Sequence, residues 1–177
     1  MKYLKMILLS TVFILIITLY FNNNANKTLL GIILDSFWLT WLAVFYILLL
    51  HLTCEISLPE RFHAICKIEK SGKIYRYLGV KNFKDLLTKN PFPTFTAKIS
   101  LRDFSTAGLH KLEKDMRNAE AIHFLGFLTS LLIMILFGFF RDFRFFYFMI
   151  IFTIIINLYP VLVQRYNRNR IHKILNA

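Results

Sequence analysis

The sequence predicts an all-α membrane protein with about four transmembrane helices and one long basic segment between the second and third. Three observations carry this. Of the 177 residues, 56% are hydrophobic and only 18% charged, with a mean hydropathy of +0.53. That balance is too apolar for a soluble domain. The apolar residues gather into four runs, each near the length that crosses a hydrocarbon core of about 30 Å. The formal net charge of +12 sits between and after those runs, where it suits a cytoplasmic face and contact with anionic membrane lipids. Nucleic acid is not an expected partner. The length calls for a single membrane domain over residues 1–177.

Taken in order, the first helix is expected over about residues 4–21, after Lys2 and Lys5. A signal peptide has the same outline. However, no small-x-small cleavage site precedes Asn22-Asn23-Asn24-Ala25-Asn26-Lys27, so an uncleaved helix is the expectation. The second helix is expected over 36–53, with Asp35-Ser36 as its N-cap. The alternative is that Asp35 lies inside the membrane, where a charge marks a site. Trp38 and Trp41 suit the membrane interface. Residues 54–118 hold more than half of the 22 lysines and arginines and are broken by Gly72, Gly79, Pro91 and Pro93. Within them, 75–87 reads as an amphipathic helix on the membrane surface, and 105–118 is helix-prone and leads into the third span. Cys54 and Cys66 lack a metal-type cluster and read as unbridged thiols on the cytosolic side. The third and fourth helices are expected over 120–140 and 145–164. The short link 141–144 makes them an antiparallel hairpin. Basic residues at the N-terminus, in 54–118 and in the tail put both termini in the cytoplasm of a multi-pass cell-membrane protein.

The hairpin gathers the polar residues. Glu120 and Gln164 are equidistant in sequence from Asp142, so at about 1.5 Å per residue they lie level. Glu120 and His123 are spaced i,i+3 and share a helix face. A carboxylate beside an imidazole fixes its tautomer and stabilises the imidazolium, as a general base requires. The plainer reading is that both sit at a helix start, with Glu favouring the dipole or facing water. Glu-x-x-His also occurs in di-metal bundles, but the second pair those need is missing, so no metal is expected. On a helical wheel Asn157, Gln164 and Arg168 fall within about 20° of one another, with Pro160 beside them. Such a stripe must face protein or a wet cavity. Arg165 and Arg168 suit a phosphate or carboxylate, or serve only as positive-inside anchors. His51, His63, His110 and His172 read as solvated or interfacial. Lys70-Ser71-Gly72-Lys73 lacks the Walker spacing, and no serine nucleophile motif is present.

These residues fall into a recognisable order. Glu69-x-x-Gly72-Lys73-Ile74-Tyr75 is followed by Gly79-Val80-Lys81-Asn82-Phe83-Lys84-Asp85 and then by Glu120-x-x-His123. Pro160-x-x-x-Gln164-Arg165-Tyr166-Asn167-Arg168-x-Arg170 closes the series. Together they resemble the glycosyl-4,4'-diaponeurosporenoate acyltransferase family over roughly residues 59–175. These are small bacterial membrane enzymes that place a fatty acyl chain on a glucose hydroxyl of a carotenoid glycosyl ester. The family tends to carry Arg two before the motif Glu, where this chain has Asn118 with Arg117 one earlier. It favours Trp where Phe124 and Phe83 stand. The resemblance implies O-acyl transfer onto a hydroxyl of a lipid-linked sugar. It also implies an activated acyl donor, such as acyl-CoA or acyl carrier protein, as co-substrate, and no bound cofactor. With it, His123 is expected as base and Glu120 as its orienter. Arg165 and Arg168 are expected to hold donor phosphates or developing charge, and Asn157, Gln164 and Asn167 to bind substrate. A non-catalytic protein whose polar hairpin end binds a lipid headgroup or partner helix remains open, as does another membrane transferase such as a methyltransferase.

Overall fold

The structure, a computed structural model, describes residues 2–22, 28–89, 105–138 and 143–176. The breaks expected at Pro91 and Pro93, and most of the links expected at 22–27 and 141–144, lie outside them. The described residues are all-helical: α1 (Lys2–Asn22), α2 (Leu29–Cys54), α3 (Glu60–His63), α4 (Lys67–Lys70), α5 (Lys73–Tyr77), α6 (Val80–Lys89), α7 (Thr106–Gly138), α8 (Phe143–Thr153), a π-turn (Ile154–Leu158) and α9 (Tyr159–Leu175). Three stretches are long and apolar enough to cross a membrane: Leu29–Cys54, Thr106–Leu136 and Phe143–Leu175. A shorter apolar helix covers Tyr3–Leu19. The chain is thus a multi-pass membrane protein with roughly four spans.

Two compact units divide the chain. One is Met1–Ser57 with Ile122–Leu158, the other Leu58–Ala121 with Tyr159–Ala177. In the first, α2 starts earlier than expected. Thr28 is its N-cap, and its hydroxyl accepts from Gly31 N–H at 3.2 Å. The cap expected at Asp35-Ser36 is therefore corrected. Ser36 is a fully buried residue in mid-helix, its hydroxyl donating to the Ile32 carbonyl at 2.8 Å. That internal bond removes the reason for the helix to start there. The helix ends at Glu55, whose left-handed φ of 51° turns its N–H back to His51 O. α1 packs on α2 through Phe13 stacked on Tyr46 at 4.1 Å and a 2.6 Å hydrogen bond between Ser10 and Tyr46 hydroxyls. The core joins Ile17, Ile32, Leu39, Ala43, Ile133, Met134, Phe145 and Met149. Leu34, Trp38, Phe45, Leu128, Leu132 and Ile135 are exposed, as lipid-facing side chains are.

In the second unit the basic segment is folded. The amphipathic helix expected over 75–87 is two helices. Gly79, with φ of 66°, separates α5 from α6, a conformation glycine adopts without steric cost. The apolar face of α5 and α6 packs on α9: Tyr75, Val80 and Val163 form a buried cluster with Ile74, Phe83, Leu162 and Tyr166 around it. Tyr159 donates to Leu78 O at 3.1 Å and its ring meets Phe83 at 4.7 Å. Leu109 and Met116 of α7 pack on Ile171. Ser105 starts α7, its hydroxyl accepting from Gly108 N–H at 3.1 Å. Cys54 is buried and Cys66 exposed, and neither is in a disulfide.

Candidate active site

The second unit holds a buried ionic lattice. Glu120 is fully buried. Its Oε1 accepts from Arg165 Nη1 at 2.6 Å, and its Oε2 from Arg168 Nη1 at 2.5 Å with His63 Nδ1 at 3.4 Å. Arg165 goes on to Glu69 in a two-point grip, Nε to Oε1 and Nη2 to Oε2, both 2.7 Å. It also donates to Phe62 O through Nη1 and to Ala64 O through Nη2, both at 2.9 Å. All five N–H donors of its guanidinium are therefore committed to protein. Arg168, 1% exposed, reaches His63 O through Nη2 at 2.5 Å and lies 3.9 Å from Glu113. Glu113 is held by Arg117 at 2.9 Å, and His172 Nε2 lies 2.9 Å from the same carboxylate. Arg117 also reaches Glu60 at 2.5 Å.

Glu69 is the second hub. Beyond Arg165 it accepts from the Tyr75 hydroxyl at 2.7 Å and from Cys66 N–H at 2.8 Å, and its backbone carbonyl takes Asn169 Nδ2 at 2.6 Å. Burial alone would raise its carboxyl. The hydrogen bonds from Arg165, Tyr75 and Cys66 outweigh that and hold it down to about 2. Tyr75 moves the other way, raised by burial and by its bond to the Glu69 carboxylate. Burying these charges is tolerable because each meets an opposite charge at hydrogen-bond distance. His63, read from sequence as solvated or interfacial, is instead 5% exposed. Sequence reading assigned no role to Glu69, His63, Tyr75 or Asn169. Glu69 and Tyr75 stand inside the family motif, and that was the only signal for them.

The expected substrate-binding residues divide accordingly. Arg165 and Arg168 serve carboxylates of their own chain, and Arg165 has no N–H left for a phosphate. Asn167 Oδ1 accepts from Lys84 Nζ at 3.2 Å. Gln164 is 7% exposed, and its Oε1 has no partner among the described residues.

The first unit holds the other polar residues. Its Asn157 is fully buried with neither Oδ1 nor Nδ2 paired among the described residues. Ser130 Oγ, Thr153 Oγ1 and His123 Nδ1 are equally buried and unpaired there. The Glu120–His123 pair expected from the i,i+3 spacing is replaced by these arrangements. Glu120's oxygens serve Arg165, Arg168 and His63, while the hydrogen-bonding neighbour of the His123 ring is the backbone of Ile156. Pro160 explains why that carbonyl is available, since proline supplies no N–H to the carbonyl four residues back. The same stretch is the π-turn Ile154–Leu158. Such turns recur at functional sites, and this one resets the wheel angle between Asn157 and Gln164. Gly126 fits against this turn: a Cβ there would lie 2.8 Å from Asn157 Oδ1 and 3.4 Å from Val44 Cα. Asn157 therefore lies on Gly126 as Ile156 lies on His123, one turn apart on α7.

The family model for glycosyl-4,4'-diaponeurosporenoate acyltransferase matches residues 59–177. That span includes the whole ionic lattice, the π-turn and His123. No curated protein and no solved structure matches the chain. Covering two-thirds of the sequence and every candidate residue, the match shows that the chain belongs to the glycosyl-4,4'-diaponeurosporenoate acyltransferase family, and it is a membrane acyltransferase acting on a glycosyl carotenoid.

Proposed function

We propose that His123 is the general base of this acyl transfer. The reading is carried by one observation, a buried Nδ1 with no partner among the described residues on a ring whose neighbour is the Ile156 backbone. With the other ring nitrogen donating to that carbonyl, Nδ1 keeps its lone pair and can take a proton. A sugar hydroxyl loses its proton to Nδ1 as its oxygen attacks the acyl carbonyl. The bond from acyl carbon to the donor's leaving atom breaks, and the imidazolium returns the proton to the leaving group. For a thioester donor, acyl-CoA or acyl carrier protein, that group leaves as the thiol. Asn157 offers both an amide NH2 that donates and an amide oxygen that accepts, matching a sugar hydroxyl that does both. We assign a polar group of the glycosyl acceptor to it.

In this reading Glu120, Arg165 and Arg168 form a framework that holds the second unit together. The five committed N–H donors of Arg165, and the two Glu120 oxygens each taken by an arginine, support it. The cationic N-terminus, the basic segment and the basic tail favour both termini in the cytoplasm, where a soluble activated donor is available. The test is acyl transfer to a glycosyl carotenoid in membranes carrying His123→Ala or Asn157→Ala at matched protein level. His123→Ala is expected to lose about 100-fold or more, and Asn157→Ala to raise KM for the glycoside. Wild-type rates in both would overturn the assignment.

A further inference from the structure

The start of α1 and the end of α2 lie together, and the charges there do more than cap a helix. The Ser10–Tyr46 hydroxyl bond and the Phe13–Tyr46 stack fix the register of the two helices. Lys5 is five residues before Ser10, and the last turn of α2 begins five after Tyr46. At about 1.5 Å per residue the two are level. A cation suits that end of a helix, where backbone carbonyls lack partners. Glu55 does not suit it. It is the one non-glycine residue with a positive φ among the described residues, at 51°. Glycine closes a helix in this way without steric cost, and a carboxylate is repelled by the negative end of the dipole. Lys5 does not neutralise it. Among the described residues neither side chain is in an ion pair or a hydrogen bond. Both instead line one cavity of about 260 Å³, together with Leu52, Thr53 and Cys54. A glutamate kept against both the backbone and the dipole points to a ligand.

We propose that this cavity binds the headgroup of a phospholipid carrying a primary ammonium, with the ammonium on Glu55 and the phosphate on Lys5. Two opposite charges that share a cavity without pairing complement a ligand that carries both, because each then gains a charge-assisted hydrogen bond. The volume is below the roughly 300–1,000 Å³ of a drug-sized site, which suits a headgroup. The ligand comes from the membrane because Leu52, on the cavity wall, belongs to a membrane span and is 69% exposed. Leu4 and Leu8, on either side of Lys5 in the chain, are exposed as well. Acyl chains attached to the headgroup therefore have apolar surface to lie on. The site belongs wholly to the first unit and does not depend on the acyl-transfer reading.

The experiment is native mass spectrometry of the full-length protein in neutral detergent, with phosphatidylethanolamine and phosphatidylglycerol offered in equal amounts. The wild type should retain phosphatidylethanolamine in preference. Lys5→Gln should weaken its retention about tenfold, while Lys5→Arg keeps it. Glu55→Gly should lose the preference between the two lipids and, relieved of the left-handed strain, melt about 2–4 °C higher without lipid. A residue that only closed the helix would show the higher melting temperature with lipid retention unchanged, and that result would overturn the site. Should neither variant fold, the wild type still decides, since equal retention of the two lipids overturns it. Phosphoethanolamine binding as tightly as the intact lipid would overturn the membrane as its source.

Discussion

Glu120→Gln separates a framework carboxylate from a catalytic one. The substitution keeps the volume and removes the charge. Glu120 is fully buried and receives Arg165 at 2.6 Å, Arg168 at 2.5 Å and His63 at 3.4 Å. A glutamine can keep the contacts of one oxygen only. Its NH2, placed where the other oxygen was, meets a guanidinium donor to donor. Arg165 retains Glu69 and two backbone carbonyls, which limits the loss on that side. Arg168 loses its nearest carboxylate and keeps Glu113 only at 3.9 Å. Breaking one side of a buried ion pair costs about 3–5 kcal/mol. For a chain of this size each kcal/mol lowers the melting temperature by about 2–4 °C, so the fall should be roughly 6–20 °C. The assay is thermal unfolding in detergent beside acyl transfer in membranes. A Glu120→Gln protein that melts like the wild type yet transfers no acyl group would refute the framework reading and restore Glu120 to the chemistry.

Two further outcomes follow from neighbouring geometry. The Glu69 carboxyl is held down to about 2, below its ordinary 4.5. Its contribution to stability is therefore complete above about 4.5 and is lost as pH falls towards about 2. Unfolding measured across that window should show the loss in the wild type and a flatter profile in Glu69→Gln; identical profiles would contradict the assignment. Gly126→Ala places a methyl 2.8 Å from Asn157 Oδ1 and 3.2 Å from Val44 Cγ2, which should displace the amide at a cost of about 1–3 kcal/mol. KM for the glycosyl acceptor should rise more than kcat falls, and unaltered KM would remove Asn157 from acceptor binding.

Much of the hairpin was legible from arithmetic. Equal distances from Asp142 set Glu120 level with Gln164, and in the structure Glu120 meets Arg165, the next residue along. The wheel marked Asn157, Gln164 and Arg168 as a buried stripe, and all three are buried. Spacing could not say which charges would pair. An i,i+3 rule points Glu120 towards His123, because it sees only one helix. The carboxylate instead answers to two arginines more than forty residues away in sequence. Nor could the wheel register the π-turn, since it assumes a constant angle per residue. Pro160 was visible, but the carbonyl it releases mattered only once His123 was found beside Ile156.

The sequence by itself determined that this is an all-α membrane protein, because runs of apolar residues of this length have no other solvent. With the motif order at 59–175 it also indicated the family. Only the tertiary structure decided how the basic block is used. Arg165 and Arg168 are identical to anchoring cations in composition, depth and spacing. They become internal because α3, α4 and α7 deliver Glu69, Glu120 and three backbone carbonyls to them, whereas Arg170 stays exposed beside the Tyr166 ring. Buried charges are stable only where their partners are, and the sequence does not list which distant residues those partners will be.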